Sequence, residues 1–181
     1  MGTRDFTTSF TVEQSPDVVF AAICDVRRWW SADITGRADR VGDRFIHRVR
    51  ELHRCEIEVK QVIPGSRIVW TVLDNHFSFT RDATEWTGTD IVFDIATAGD
   101  RTELRFTHFG LVPGYECYDV CHDGWTTYIA SLHDLAATGT GRPHAGEART
   151  ASEQALMDPM HAMTTRRSGG SRELSGTSGR D

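Results

Sequence analysis

The stretch ECYDVCHDGW, residues 116–125, concentrates the side chains with the most chemistry in the chain. Cys117 and Cys121 are four positions apart and His122 follows directly, so two thiols and an imidazole are available as zinc ligands. On a helix, however, His122 lies about 100° around the axis from Cys121, on another face. The CxxC spacing typical of structural zinc sites is also missing. We therefore predict no metal at this stretch.

The same two cysteines form a second candidate, a redox-active pair. Cys117 is expected in the first turn of a helix, where the helix dipole favours a thiolate. A disulfide between helical positions four apart would be strained, and the acidic residues Glu116 and Asp119 oppose ionisation of the thiol. A third interpretation is that both thiols are small, soft side chains that give a cavity its width. The sequence leaves these alternatives open.

His108 is the polar residue at an inward-facing position of the last predicted strand, RTELRFTHFG. It is either a structural group with satisfied hydrogen bonds, or a functional group that orients a ligand or acts as general acid or base. His108 is the candidate catalytic residue that we name. His47 and His53 are weaker candidates, because placement at an edge or in a loop would leave them in water.

The composition limits the classes of function. The chain has 181 residues, a formal net charge of −6 and 39% hydrophobic residues, which is typical of one ordinary globular domain. The acidic balance argues against a nucleic-acid partner, and no apolar run approaches the roughly 20 residues of a membrane span. The first residues lack the apolar core of a signal peptide, so we expect a cytoplasmic protein with four reduced thiols. We expect no cofactor, because the sequence has no glycine-rich phosphate loop in a strand–helix context.

The hydrophobic pattern predicts the elements that position these residues. FTTSFTVEQ alternates as a strand, and Ser15 followed by Pro16 begins a short helix. A second short helix or turn carries Trp29 and Trp30. Alternating segments between residues 43 and 110 predict an antiparallel meander with one apolar and one wet face.

A long helix is predicted between Pro113 and Gly139, where it covers the apolar face of the sheet. Its apolar positions recur at spacings of three and four and form one stripe, namely Cys117, Cys121, Trp125, Tyr128, Leu132 and Leu135. Residues 5–139 are thus predicted to form one domain. Residues 140–181 are rich in Gly, Ser, Thr and Arg and are predicted to be a disordered tail.

This order of elements resembles the helix-grip fold of the START-like (SRPBCC) superfamily. Within it, the chain resembles bacterial members of the activator of heat-shock-protein-90 ATPase homologue family, through SFTVEQSPDVVFAAICDVRRWW, PGSRIVWTVLD, TEWTGTDIVFDI, TELRFTHFGLVP and ECYDVC followed by GW. The resemblance implies an α+β fold in which a curved antiparallel sheet of about six to seven strands grips the long helix. It also implies a cavity between helix and sheet. Members of the superfamily bind lipids, sterols, polyketides or other apolar molecules there, while some are cyclases and others are cochaperones.

Tryptophans from four elements are expected around that cavity. We predict a ligand site lined by Trp30, Trp70, Trp86, Phe106, His108, Cys121 and Trp125. Large rings with few polar groups are typical of a pocket, although a solid aromatic core has the same composition. The leading hypothesis is a non-enzymatic binder of a small apolar or aromatic molecule, with a closed cavity on the order of a few hundred Å³. The alternatives are a cochaperone-like module that binds a chaperone or another protein, and a cyclase- or hydrolase-like enzyme that uses His108.

Overall fold

A computed structural model describes residues 4–145 and 150–158 of the chain. These ranges contain seven strands and four helices. The strands are β1 (Phe6–Val12), β2 (Thr35–Gly36), β3 (Arg44–Val49), β4 (His53–Ile63), β5 (Arg67–Phe77), β6 (Asp90–Ala98) and β7 (Arg101–Phe109). The helices are α1 (Pro16–Cys24), α2 (Val26–Trp29), α3 (Tyr118–Thr138) and α4 (151–158).

All seven strands form one antiparallel sheet in the order β1-β7-β6-β5-β4-β3-β2. The strands from β2 to β7 follow one another as a meander, and β1 pairs with β7, so that Phe6 lies opposite His108. The β4–β5 hairpin carries two register shifts, one after Glu56 and one after Val59. Irregularities of this kind bend a sheet and increase its twist, which suits a sheet that packs around a helix.

Alternating side chains separate the two faces of the sheet. On β4 the inward residues Cys55, Ile57 and Val59 are completely buried. The outward residue Glu58 forms an ion pair with Arg44 of β3 at 2.9 Å. A buried site must therefore lie on the inner face, beneath α3.

The helix α3 covers this inner face. Its buried residues follow helical spacing and include Cys121, Trp125, Tyr128, Leu132 and Leu135, as the predicted stripe requires. The helix ends at Gly139, whose φ of 78° is left-handed and whose amide N–H donates to the carbonyl of Leu135. Glycine adopts this conformation without steric strain, so it stops the helix at a defined residue.

After α3 the chain returns across α2 as a strap, residues 139–145. The amide N–H of His144 donates to the carbonyl of Trp30, and the carbonyl of His144 accepts from the amide N–H of Ala32. Gly141 passes so close to α2 that a Cβ atom there would lie 2.2 Å from the carbonyl oxygen of Arg28. The strap therefore packs on the domain, beyond the boundary predicted at residue 139.

The helix-grip architecture predicted from the sequence is confirmed, including the two short helices after β1 and the long covering helix. β5 extends through Phe77, because Asn75 and Phe77 continue the inward alternation. Of the predicted tail, residues 146–149 and 159–181 lie outside the described residues. Within the described ranges, no helix is long and apolar enough to cross a membrane.

Candidate functional site

A cavity lies between α3 and the inner face of the sheet. Its lining consists of Trp30, His47, Val49, Leu52, His53, Phe77, Trp86, Val120, Cys121, Gly124, Trp125, Tyr128 and Glu153. The enclosed part of the cavity, the space that water-sized molecules can occupy, has a volume of about 40 Å³. All empty space between the walls, including solvent at the mouth, amounts to about 420 Å³. The enclosed part is smaller than the cavity expected from the sequence. A ligand larger than a few water molecules therefore requires the walls to move apart.

Aromatic rings form most of the cavity wall. Trp86 and Trp125 are stacked, with ring centroids 5.8 Å apart and planes at 9°. The ring centroid of Trp30 lies 4.9 Å from that of Trp125 and 4.7 Å from that of His47. Such rings supply large apolar surfaces with few rotatable bonds, which suits a small, flat partner.

His108 lies beside the cavity and links the sheet to α3. The indole N–H of Trp125 donates to Nδ1 of His108 at 3.0 Å, so Nδ1 carries no proton. Nε2 lies 2.8 Å from Oγ1 of Thr89, whose hydroxyl donates to the carbonyl of Trp86 at 2.6 Å, so Nε2 is the donor. Burial lowers the pKa of His108 to about 3. The ring is neutral with both nitrogens bonded, as expected for a structural histidine.

His47 and His53 are buried, which corrects the prediction that they lie in water. Both occupy inward positions, on β3 and β4. Nε2 of His53 donates to Oδ1 of Asn75 at 2.8 Å, and Nδ2 of Asn75 donates to the carbonyl of Ala83 at 3.1 Å. Burial lowers the pKa of His53 to about 4. Burial, together with the nearby His53 and His144, lowers the pKa of His47 well below its usual range.

Nε1 of Trp30 and Nδ1 of His47 have no hydrogen-bond partner within residues 4–145 and 150–158. Both side chains are buried, with 1% and 2% of their surface exposed. An unpaired buried polar group costs about 1–3 kcal/mol of stability. Nε1 of Trp86, in the same wall, is also without a partner in the described residues, so three buried nitrogens of the lining are available to a ligand.

The two thiols of the motif at residues 116–125 lie at the beginning of α3. Cys117 is the N-cap residue and is fully buried, and Cys121 lies in the cavity wall. Burial, reinforced by the neighbouring thiol of Cys117, raises the pKa of Cys121 well above its usual range. Cys121 is thus a protonated thiol at neutral pH and a poor nucleophile. No group of three or more His, Cys, Asp or Glu side chains in the described part of the chain is placed to hold a metal.

The N-terminus of α3 is capped by a side chain from another segment, the loop between β5 and β6. The N-cap residue Cys117 makes no capping bond with its own side chain. Instead the carboxylate of Glu85 accepts from the amide N–H of Glu116 at 2.7 Å and from that of Cys117 at 2.9 Å. Because Trp86 directly follows Glu85, this cap also holds the loop that supplies one cavity wall.

The helix α4 contributes the buried residue Glu153 to the lining. Thr150 and Glu153 form a capping box, in which the amide N–H of each donates to the side chain of the other, at 3.2 and 3.1 Å. The hydroxyl of Ser152 bonds to the carboxylate of Asp123 on α3. A short helix from the region predicted as tail therefore packs beside the cavity.

The structure brings four of the seven predicted site residues to the cavity and leaves three behind its wall. Trp30, Trp86, Cys121 and Trp125 line it. Trp70, Phe106 and His108 are fully buried in the core and are not part of the lining.

Several lining residues are not among those that the sequence pattern predicts for the site, namely His47, His53, Phe77, Tyr128 and Glu153. The alternation of β3, which places His47 between Phe45 and Val49 on one face, was the available signal for His47. For Glu153 the capping-box pattern TASE predicts a helix start, but nothing nearby in sequence indicates that this helix reaches the cavity.

A curved antiparallel sheet that holds a long helix, with a cavity between them, defines a helix-grip protein of the START-like (SRPBCC) superfamily. The family model for Activator of Hsp90 ATPase homolog 1-like proteins matches residues 13–137, and the chain belongs to this family. The family resemblance seen in the sequence is thereby confirmed.

Solved structures of the same fold come from several bacteria. The Aha1 dimer from Colwellia psychrerythraea is 24% identical, with a TM-score of 0.62 over 76% of this chain and 99% of that one. Protein MLL2253 from Mesorhizobium loti is 18% identical, with a TM-score of 0.60 over 73% of this chain and 96% of that one. DynU16, from the dynemicin biosynthetic locus, is 17% identical, with a TM-score of 0.54 over 75% of this chain and 48% of that one. These likenesses show the fold alone, and a search of curated proteins gave no match.

Proposed function

We propose that the protein binds a small, uncharged aromatic or apolar molecule in the cavity between α3 and the sheet. The observation that carries this proposal is an aromatic-walled cavity with unpaired nitrogen atoms on Trp30 and His47. Ligand sites typically combine apolar and aromatic walls with a few polar groups. These two nitrogens lower the stability of the ligand-free fold, and a ligand that pairs with them would restore it.

Gly124 supports this proposal. It lies in the middle of α3 and in the cavity lining, although alanine is more favourable than glycine in a helix by about 1 kcal/mol. A Cβ atom at this position would lie 3.7 Å from its nearest neighbour, Cε2 of Tyr128, so no clash requires glycine. The missing side chain enlarges the cavity instead.

The charges around the cavity favour an uncharged ligand. His47 and His53 are neutral at physiological pH because burial lowers the pKa of both rings. Among residues 4–145 and 150–158, the lining contains no Arg or Lys, and its one carboxylic residue is Glu153. A buried anionic ligand would therefore lack a cationic partner there and would lie near an acidic side chain.

The two alternative functions have less support. A cyclase-like reaction at His108 requires a ring nitrogen that is free to exchange a proton with a substrate, and both nitrogens of His108 are bonded. A cochaperone-like role is suggested by the name of the family. The large apolar side chains exposed in the described ranges, Val18, Val41, Ile63 and Phe109, come from four separate segments of the chain.

Native mass spectrometry of freshly purified protein, before and after denaturation, tests the proposal. We expect a co-purified uncharged molecule that is lost on denaturation, because an aromatic-walled cavity retains such a ligand through purification. If the cavity is isolated empty, small aromatic compounds should raise the melting temperature Tm of the protein through linked binding.

A matched pair of variants assigns this binding to the cavity. Gly124→Leu fills the space beside Tyr128 and should abolish the ligand-induced rise in Tm. Gly114→Leu adds the same side chain at an exposed glycine with no atom within 4 Å of its Cβ position, and should leave the rise unchanged. A bare protein that no aromatic compound stabilises, or full binding by Gly124→Leu, would refute the proposal.

A further inference from the structure

We infer that the cavity recognises a hydroxyl group, held between the indole N–H of Trp30 and Nδ1 of His47, and that its ligands are small uncharged phenols. This inference rests on the proposed function and specifies the ligand class of the same site. It is carried by the two unpaired nitrogens and by the shape and charge of the wall around them.

The two nitrogens belong to neighbouring rings. Trp30 and His47 have ring centroids 4.7 Å apart and planes at 35°, and both rings line the cavity. Neither nitrogen is in contact with solvent. Because both atoms are withdrawn from water and belong to rings in the cavity wall, a ligand that enters as the walls move apart would supply the partner that they lack.

Trp30 is held so that its N–H does not turn toward another acceptor. Its ring stacks on Trp70 with centroids 6.2 Å apart and planes at 12°, and meets Phe45 edge-on at 6.1 Å. Its backbone carbonyl accepts a hydrogen bond from His144 of the strap. A rigid, unpaired donor in a cavity wall is preorganised for an acceptor atom on a ligand.

The chemistry of the pair selects a hydroxyl. An indole N–H only donates, so the ligand atom must accept from Trp30. Nδ1 of a neutral His47 either accepts or donates, depending on the tautomer. A hydroxyl satisfies both tautomers, since its oxygen accepts from Trp30 and either donates to Nδ1 or accepts from it. An ether or ketone fits one tautomer only. A carboxylate is disfavoured because no cationic side chain of the described residues lines the cavity.

The small size of the cavity favours a single ring. The space open to water-sized molecules is about 40 Å³, so any ligand has to displace the walls, and one benzene ring requires less displacement than a long lipid or a sterol. The faces of Trp86 and Trp125 provide apolar contact for such a ring.

Four probes of nearly equal size test the inference by calorimetric titration of the full chain: p-cresol, p-xylene, 4-methylanisole and 4-methylbenzoate. We expect p-cresol to bind at least about tenfold more tightly than p-xylene, because only the phenol pairs with the two buried nitrogens. The anisole should fall between them and the benzoate should not bind. In NMR spectra, p-cresol but not p-xylene should move the indole proton of Trp30 downfield.

Two variants isolate the donor. Trp30→Phe keeps an aromatic ring but removes the N–H, so the preference for p-cresol over p-xylene should fall to less than about threefold. Trp86→Phe is the comparison, since it also removes a buried indole N–H that has no partner in the described residues and keeps an aromatic ring in the wall, and it should keep the preference. A preference lost in Trp86→Phe and kept in Trp30→Phe would assign the hydroxyl to Trp86 instead.

The outcomes separate the two proposals. Equal binding of p-xylene and p-cresol, or an unchanged preference in Trp30→Phe, overturns the inference while the cavity remains a binding site. Failure of p-cresol, 4-methylanisole and p-xylene alike to bind overturns the inference, and native mass spectrometry with the Tm measurements then decides the proposed function separately. If Trp30→Phe does not fold, the indole signal of Trp30 in the unmodified protein decides the question.

Discussion

At the residue scale, the polar groups beneath α3 fall into two sets that differ in whether their hydrogen bonds are complete. Thr89, His108 and Trp125 form a closed series in which the indole N–H, both imidazole nitrogens and the hydroxyl all have partners. In the second set, Trp30, His47 and Trp86 in the cavity wall and Trp70 behind it each have a nitrogen without a partner among the described residues. A buried network in which every polar group is hydrogen-bonded makes a core more rigid, whereas a polar group without a partner can still bind a ligand. We assign a structural role to the first set and propose recognition for the members of the second set that line the cavity.

His108→Phe should therefore destabilise the fold. The substitution keeps a ring of similar shape but removes the acceptor of the Trp125 N–H and the donor to Thr89. We expect the free energy of unfolding to fall by about 2–4 kcal/mol, measured by urea denaturation monitored by circular dichroism.

His76→Phe is the matched control for this measurement, because His76 lies exposed on the same sheet. Its effect should stay within about 0.5 kcal/mol. If His108→Phe has the same free energy of unfolding as the unmodified protein, the hydrogen-bonded series does not stabilise the fold and our assignment of a structural role is wrong.

At the scale of elements, α3 depends on its surroundings at two points. Its N-terminus is capped by Glu85 from the loop before β6, and its middle contains Gly124. The helix is long and its apolar stripe is clear, so packing against the sheet supplies most of its stability. Both the cap and the glycine lie next to the cavity, since Trp86 directly follows Glu85 and Gly124 is part of the lining.

Glu85→Ala should lower the free energy of unfolding by about 1 kcal/mol, because two amide N–H groups at the start of α3 lose their acceptor and the helix dipole loses a favourable charge. Chemical denaturation measures this loss. Glu51→Ala, in an exposed turn, should have almost no effect. Equal stability of the two variants would show that the cap is not energetically significant.

Gly124→Ala should have the opposite effect to Glu85→Ala. It should raise the free energy of unfolding by about 0.5–1 kcal/mol, because alanine has the higher helix propensity. The added methyl makes ordinary contact with Tyr128 at 3.7 Å. Gly139→Ala provides the contrast, since its φ of 78° is strained for alanine, and it should lose about 1 kcal/mol. A destabilised Gly124→Ala would mean that the wall has no room for a methyl group.

At the scale of the whole molecule, the elements and their order were predictable because their signals are local. The stripe on α3 and the alternation on β4 specify which side of each element is buried. These patterns do not specify which of the buried side chains reach the cavity. Trp70 and Trp30 both face inward, but of the two only Trp30 lines the cavity. The register of the strands and the position of α2 determine which inward residues lie beneath the first half of α3. Glu153 enters the site through a contact between distant segments, which no local pattern reports.

Buried neutral histidines make the stability of the whole fold dependent on pH. Burial lowers the pKa of His53 to about 4 and that of His108 to about 3, and holds the pKa of His47 well below its usual value. The unfolded chain takes up protons at these rings as pH falls below about 6.5, while the folded chain does not. Each ring then lowers the free energy of unfolding by up to about 1.4 kcal/mol per pH unit.

Urea denaturation at pH 7, 6 and 5 should show this loss of stability, and full stability should return above pH 7. The range lies above the pKa of ordinary carboxyl groups, so histidines dominate the change. His108→Phe should show a smaller slope against pH than the unmodified protein. A stability that is flat between pH 7 and 5 would show that these rings become protonated in the folded state.

The pairing of β1 with β7 has a consequence for synthesis of the chain on the ribosome. Thr7 and Phe106 are hydrogen-bonded neighbours although 99 positions separate them, whereas each pair of strands from β3 to β7 is joined by a direct connection. The meander can therefore form as it emerges, while β1, made first, stays without its partner until β7 has been translated. The covering helix follows directly after β7, so the first strand is paired and the aromatic face is covered at nearly the same moment. Until then, that apolar face is open to chaperones and to other nascent chains.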